Sequence, residues 1–273
     1  MLHSHFIFKI MKSYLFIFTM LFFVSCSTVK HTGLSSKTYS TKSGWKLPYN
    51  IYFPKSYKEG NIPVILWLHG AGERGDDNVS QLIHIVPYLA SDIVQTRFPC
   101  IIIAPQCPKE DYWAPVKRFE WRVINDGKTT PAMTGVIELL DYILKDPKID
   151  KSRIYVGGLS MGGFGTLDLL HRRPELLAAA VPICGGADLE KAGKFKDVPL
   201  WIFHGAKDTV VPAELSRELI KVLNGMGSFP KYTEYPEGGH GIWNDAIRDP
   251  EMCIRDRIKR WRRFLVSYRR YRW

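Results

Sequence analysis

A serine flanked by glycines at a fixed spacing is the first feature of this sequence that could do chemistry. Gly158, Ser160 and Gly162 fit the pattern G-x-S-x-G, in which a serine stands on a sharp turn between a strand and a helix. A side chain at either glycine would collide with the turn, so the spacing has a steric cause. A glycine-rich loop that merely contains a serine is the alternative. The apolar run at residues 154–156 and the helical pattern at 164–171 favour a nucleophile instead.

Two residues at predicted strand ends could activate this serine. Asp208 follows the apolar run 199–203, and His240 lies in a glycine-rich loop after the predicted strand 231–235. An imidazole can take the serine proton, and a carboxylate can orient and stabilise the resulting imidazolium. A turn or capping role for Asp208 and a structural role for His240 are the alternatives. The chain order Ser160, Asp208, His240 is that of α/β-hydrolases and favours a catalytic triad.

A third strand end could bind the negative charge that develops on a substrate oxygen. His69, Gly70, Ala71 and Gly72 follow the apolar run 63–68, and the glycines let backbone N–H groups turn toward an oxyanion. The amides of Ala71 and Met161 are the predicted oxyanion hole, with a simple strand-to-helix turn as the alternative. This acyl-transfer chemistry needs no cofactor, and the cysteine spacing matches no metal signature.

Strand and helix patterns alternate along the chain, which predicts an α/β fold with a mostly parallel central sheet flanked by helices. Parallel strands put functional residues at their carboxyl ends, where the three motifs fall. Residues 38–54 are predicted to form an N-terminal β-hairpin, and no boundary of a second domain is visible. The predicted strands are 63–68, 100–104, 154–156, 178–183, 199–203 and 231–235, and the predicted helices are 82–89, 130–144, 164–171 and 214–223.

The charge of the chain is concentrated at its ends. The net charge is +11, but residues 252–273 carry nine Lys or Arg and one Asp, and Lys9 and Lys12 add two more charges. Residues 26–251 are therefore almost neutral. No basic surface is expected on the globular part, so a nucleic-acid partner is not predicted.

The N-terminal segment has the pattern of an export signal. A basic start precedes an apolar run of eleven residues, 14–24, which is short for a membrane span and fits a secretory signal. Val24, Ser25 and Cys26 resemble a bacterial lipobox, which implies cleavage before Cys26 and its lipidation. The prediction is a signal peptide over residues 1–25 with Met11 as the natural start, a flexible tether over 26–37, and a membrane-anchored lipoprotein of the cell envelope. A plain signal peptide or a signal anchor is the alternative.

Five segments together resemble a known family: 68–75 (LHGAGERG), 104–108 (APQCP), 157–163 (GGLSMGG), 182–186 (PICGG) and 204–208 (HGAKD). They are similar to α/β-hydrolase esterases of the phospholipase/carboxylesterase and dienelactone-hydrolase group. The "predicted peptidase" branch, which is similar to feruloyl and acetyl-xylan esterases, is the best match. The resemblance implies an exported serine carboxylesterase domain over residues 38–251 that acts on esters of acylated plant polysaccharide or on phenolic esters.

Four residues near the predicted strand ends could contact such a substrate: Gln106, Trp113, Trp121 and Trp243. Aromatic rings at these positions could stack on a sugar or a phenolic acyl group. Packing at the rim of the hydrophobic core is the alternative for each of them. Two other functions stay open, a serine peptidase of the same fold and a non-catalytic glycan-binding surface lipoprotein.

The C-terminal tail departs from the family pattern. The segment that starts at Asp249 resembles the beginning of a short amphipathic helix, but an Arg-, Trp- and Tyr-rich run replaces it from Met252 onward. The run resembles translated sequencing adapter, so residues 252–273 are predicted to be non-native. A genuine basic tail that binds anionic surfaces is the alternative, and an uninterrupted genomic reading frame across this junction would establish it.

Overall fold

A sheet of eight strands forms the centre of the computed structural model, which describes residues 33–117, 120–123 and 127–249. The strands of the chain are β1 Leu34–Ser40, β2 Lys46–Tyr52, β3 Ile62–Leu68, β4 Ile101–Pro105, β5 Val116–Lys117, β6 Arg122–Val123, β7 Ile149–Leu159, β8 Ala179–Ile183, β9 Trp201–Gly205 and β10 Lys231–Tyr235. Strands β5 and β6 form a separate two-stranded ribbon, and the others make the central sheet.

The strand order is β1-β2-β4-β3-β7-β8-β9-β10. Strands β1 and β2 form the predicted antiparallel hairpin, and β2 also pairs antiparallel with β4. All pairs from β4 to β10 are parallel. The sheet is thus mostly parallel, as predicted, and the carboxyl ends of β3, β7, β9 and β10 lie along one edge.

The described residues contain six α-helices: α1 Val86–Leu89, α2 Asp92–Arg97, α3 Pro131–Ile143, α4 Met161–Arg172, α5 Glu214–Gly225 and α6 Trp243–Arg248. Short 3₁₀ helices span Lys55–Glu59, Ala71–Glu73, Ser80–Leu82, Pro174–Leu176 and Leu189–Lys194. The start of α3 follows from its sequence, because the Thr130 hydroxyl accepts the Met133 N–H and Pro131 occupies the first turn. Within the described ranges, no helix combines the length and the apolar character needed to cross a membrane.

Alternating side chains of the central strands form a hydrophobic core on each face of the sheet. In β4, Ile101 and Ile103 join the core that contains Met133 of α3 and Leu219 of α5. Ile102 points to the opposite core, where α1 and α6 pack. Because these strands are covered on both faces, their sequences are continuous apolar runs without polar alternation.

Several predicted boundaries differ from the structure: the predicted strand 154–156 extends over Ile149–Leu159, and the predicted helix 164–171 over Met161–Arg172. Strand β1 begins at Leu34, so residues 34–37 belong to the sheet and not to a flexible tether. The predicted helix 82–89 is divided into a 3₁₀ turn and the short α1, with Pro87 in the first turn of α1. The last described helix, α6, ends at Arg248, before the position where the sequence suggested that a final helix begins.

Several predictions fall outside the described residues. The signal peptide, the start at Met11, lipidation of Cys26, most of the tether and the tail 252–273 all lie there. They stay predictions from the sequence.

Candidate active site

Ser160 occupies a strained turn between β7 and α4. Its backbone has φ 54° and ψ −117°, a conformation that non-glycine residues rarely adopt. A Cβ at Gly158 would lie 2.4 Å from the carbonyl oxygen of Gly162, and a Cβ at Gly162 would lie 2.0 Å from that of Leu68. Both glycines are therefore required by close backbone contacts, as the sequence pattern predicted. The turn holds the Ser160 side chain at the sheet edge in a partly exposed position.

The structure brings the side chains of Ser160, His240 and Asp208 together. His240 Nε2 lies 2.9 Å from Ser160 Oγ, and His240 Nδ1 lies 2.7 Å from Asp208 Oδ2. The carboxylate can only accept, so Nδ1 donates to it and Nε2 is left to accept the Ser160 hydroxyl proton. Strands β7, β9 and β10 place the three residues, because their carboxyl ends share one edge of the sheet.

Asp208 is held as an anion in a buried position. Burial alone would raise the pKa of its carboxyl group, but contacts from His204 and His240 and the amides of Val211 and Val210 outweigh burial and hold this pKa far below its usual range. The two amides donate to Oδ1 at 2.9 and 2.8 Å. A buried carboxylate with three hydrogen-bond donors and the His204 ring 3.3 Å from Oδ2 keeps its charge and its orientation.

The amides of Ala71 and Met161 have no acceptor among the described residues. Each belongs to the first residue of a helical turn, where the N–H has no partner within the helix. The loop before Ala71 is fixed by the buried His69, whose Nε2 accepts the Cys107 N–H at 2.9 Å while Nδ1 donates to the Gly70 carbonyl at 2.6 Å. Burial lowers the pKa of His69 to about 4, so the ring stays neutral near pH 7.

Two of the four predicted substrate residues are wrong as substrate contacts. Gln106 and Trp113 both have 0% of their surface exposed. The Gln106 amide donates to Asp77 Oδ1 at 2.8 Å and accepts the Asn78 N–H at 2.6 Å. The Trp113 indole N–H donates to the His69 carbonyl at 3.0 Å, and its Cβ lies 2.4 Å from where a Cβ at Gly165 would be. Both side chains stabilise the loops that follow the strands through these buried contacts, and they cannot reach a substrate.

The other two are partly exposed near the triad. The Trp243 ring meets the His240 ring edge-on, with centroids 5.8 Å apart at 88°, and also contacts His84 at 5.2 Å. The Trp121 ring stacks on Phe164, one turn beyond Ser160 in α4, with centroids 6.0 Å apart. Their substrate-binding role stays a prediction.

Two buried residues lie near the triad, and the sequence did not reveal either of them as its neighbour. His204 lies in β9 beside Asp208, and Cys184 follows β8 with φ 49° and its Sγ 3.6 Å from the His240 carbonyl oxygen. His204, Cys184 and Asp208 are the one set of metal-binding residue types that cluster in the described chain. Both ring nitrogens of His204 already have protein partners, Ser216 and Val211, so neither is free for a metal. Both residues lie in segments that carry the family resemblance, Cys184 in 182–186 (PICGG) and His204 in 204–208 (HGAKD), and the sequence offers no other signal for them.

The sheet order, the strained serine turn and the His240–Asp208 pair define an α/β-hydrolase. The sequence profile of the phospholipase/carboxylesterase family matches residues 55–257, so the chain belongs to that family and is a carboxylic-ester hydrolase. A probable carboxylesterase from Oryza sativa subsp. japonica is 27% identical over 221 residues, which are 73% of this chain and 90% of that protein.

Solved structures give the same result for the fold. A thermostable esterase superposes with a TM-score of 0.70 at 35% identity, over 86% of this chain and 62% of that one. A ferulic acid esterase superposes with a TM-score of 0.58 over 78% of this chain and 94% of its own. At 18% identity the second likeness concerns the fold alone.

Proposed function

We propose that this protein is an exported serine carboxylesterase in which Ser160 is the nucleophile, His240 the general base and acid, and Asp208 the group that orients His240. The observation that carries the proposal is the continuous pair of hydrogen bonds from Ser160 Oγ through His240 to Asp208, at 2.9 and 2.7 Å. A serine hydroxyl is a weak nucleophile, and a base at this distance is what activates it.

The reaction follows from these contacts. As Ser160 Oγ bonds to the ester carbon, its proton passes to His240 Nε2, and the carbonyl π electrons move onto oxygen. The amides of Ala71 and Met161 stabilise that oxyanion. The carbonyl re-forms, the bond to the alcohol breaks, and His240 gives its proton to the leaving oxygen. Water then attacks the acyl-enzyme, again passing a proton to His240, and Ser160 recovers its hydrogen when the acid leaves.

The proposed substrates are esters of acylated plant polysaccharides or of phenolic acids. Trp243 beside His240 and Trp121 beside the serine helix are aromatic, partly exposed and held by ring contacts. Planar rings of this kind favour sugar or phenolic groups. Export and a lipid anchor on Cys26 are proposed from the sequence of residues 11–26.

One substrate panel tests the proposal. Wild type and Ser160→Ala are assayed with p-nitrophenyl acetate, methyl ferulate, acetylated xylan and a peptide amide. We expect ester turnover in the wild type and its loss in Ser160→Ala. Amide turnover above ester turnover would favour a peptidase, and turnover of none of the four substrates would favour a glycan-binding lipoprotein.

Anchoring is tested separately by expression of the full chain in a bacterial host with labelled fatty acid. We expect label in the membrane fraction of the wild type and none in Cys26→Ala. Equal labelling of both proteins would contradict the anchor without affecting the esterase assignment.

A further inference from the structure

A second imidazole contacts the Asp208 carboxylate and has no task in the proposed reaction. His204 lies in β9 with 0% of its surface exposed, and its Nε2 is 3.3 Å from Asp208 Oδ2. A buried polar ring is costly unless its polar atoms have partners, so these contacts account for its presence there. The same carboxylate oxygen accepts the hydrogen bond from His240 Nδ1 at 2.7 Å.

The partners of the His204 ring fix its protonated nitrogen. Nε2 faces two acceptors, Asp208 Oδ2 and the Val211 carbonyl oxygen at 3.0 Å, so Nε2 must carry a proton. Nδ1 lies 2.7 Å from the Ser216 hydroxyl, which can donate to it. Ser216 is itself buried, on the inner face of α5. The two acceptors at Nε2 therefore select the ring form, and the Ser216 hydroxyl donates to the unprotonated Nδ1.

We propose that His204 is a positioning residue of the triad and that Ser216 holds its ring in place by donating to Nδ1. This inference rests on the proposed roles of Asp208 and His240. The amides of Val210 and Val211 both donate to Oδ1. Contact of His204 with Oδ2 adds a fixed neighbour at the second oxygen, further opposes rotation about the Cβ–Cγ bond and keeps Oδ2 directed at His240.

The consequence for catalysis is specific. The Asp208 side chain is fully buried, so it cannot touch a substrate, and a change in its orientation acts only through His240. Loss of the His204 contact should therefore lower kcat and leave KM unchanged. A purely structural role would lower stability and leave kcat of the folded enzyme intact.

Three variants separate these roles. His204→Leu fills the space without an N–H group, and we expect kcat to fall about 10- to 100-fold, the scale of losing a polar contact to a charged group. His204→Gln keeps an N–H near the position of Nε2 and should recover most of that loss. Ser216→Ala leaves Nδ1 without its donor, so the ring is held less firmly, and the change should cost about two- to tenfold in kcat.

The matched control is Ser228→Ala. The Ser228 hydroxyl is also buried and donates to the Lys196 carbonyl, but it precedes β10 and so lies at the opposite edge of the sheet. This variant should lose a similar hydrogen bond without any change in kcat. Thermal unfolding of each variant measures the stability cost separately.

Ring ¹⁵N spectra of the wild type supply a readout that does not depend on any variant folding. We expect the His204 proton on Nε2, and a shift of the low-field His240 Nδ1–H resonance in Ser216→Ala but not in Ser228→Ala. A proton on Nδ1 of His204, wild-type kcat in folded His204→Leu, or equal behaviour of the two serine variants would each overturn the inference. Activity that survives in Ser160→Ala would instead overturn the proposed function, so the two failures are distinguishable.

Discussion

The hydroxyl oxygen of Ser160 and Nε2 of His240 lie 2.9 Å apart, although 80 residues separate them in the sequence. Ser160 is fixed by the tight turn after β7, and His240 by the loop after β10, three places further along the sheet. Their contact follows from the parallel order of β7, β8, β9 and β10, which puts all four carboxyl ends at one edge. The hydrogen-bond geometry is present without any movement of the loops.

The charge of Asp208 should be essential for turnover. Asp208→Asn keeps the shape of the side chain but puts an amide opposite His240 Nδ1, which favours the wrong ring form of the histidine. We expect kcat for p-nitrophenyl acetate to fall by about 10⁴-fold, the typical cost of this change in a serine triad. A folded Asp208→Asn enzyme within tenfold of wild type would contradict the assigned role.

The close contact of Gly162 with β3 should make this position intolerant of any side chain. The added Cβ of Gly162→Ala would lie 2.0 Å from the Leu68 carbonyl oxygen, so the backbone must shift. We expect the free energy of unfolding to drop by about 3 kcal/mol or more, measured in urea. Gly225→Ala is the control, because nothing lies within 4 Å of its added Cβ and it should change stability by less than about 1 kcal/mol. Equal effects of the two substitutions would refute the steric argument.

The sequence was sufficient to predict site residues at positions where the chemistry allows only a few residue types. Gly158, Ser160 and Gly162 could be predicted because a strained turn with a free hydroxyl admits few alternatives. Burial of Gln106 and Trp113 could not be predicted, since a position just after a strand can face either the cleft or the core. His204 escaped notice for a related reason. Its partner Ser216 lies 12 residues away on α5, and only the packed structure shows that the two side chains meet.

Trp113 and Trp243 should respond in opposite ways to the same substitution. Trp113→Phe removes the indole N–H that binds the His69 carbonyl and leaves a small void, so we expect a loss of about 1–3 kcal/mol in unfolding free energy and an unchanged KM. Trp243→Phe changes a partly exposed ring beside His240, so KM for methyl ferulate should rise while stability stays near wild type. Urea unfolding and steady-state kinetics on both variants measure this, and the reverse pattern would contradict the assignment of the two rings.

Acid should destabilise the fold through His69. Burial lowers the pKa of His69 from 6.5 to about 4, so between these values the unfolded chain binds a proton that the folded protein does not. Stability is therefore unaffected by this group above about pH 7, falls as the pH drops from 6.5 to 4, and levels off below 4. The full shift corresponds to a loss of about 3 kcal/mol.

His69→Gln isolates this contribution from that of other acid-sensitive groups such as His171, whose pKa burial also lowers to about 4. The glutamine oxygen can still accept the Cys107 N–H but does not titrate, so the variant keeps the loop contact and loses the pH dependence. Urea unfolding of both proteins from pH 7.5 to 4 should show that the wild type has the larger free energy of unfolding at neutral pH. The gap between the two free energies should narrow by about 3 kcal/mol toward pH 4. A gap that stays constant across this range would mean that His69 has the same pKa in the folded and the unfolded protein, and the lowered pKa assigned to this buried ring would be wrong.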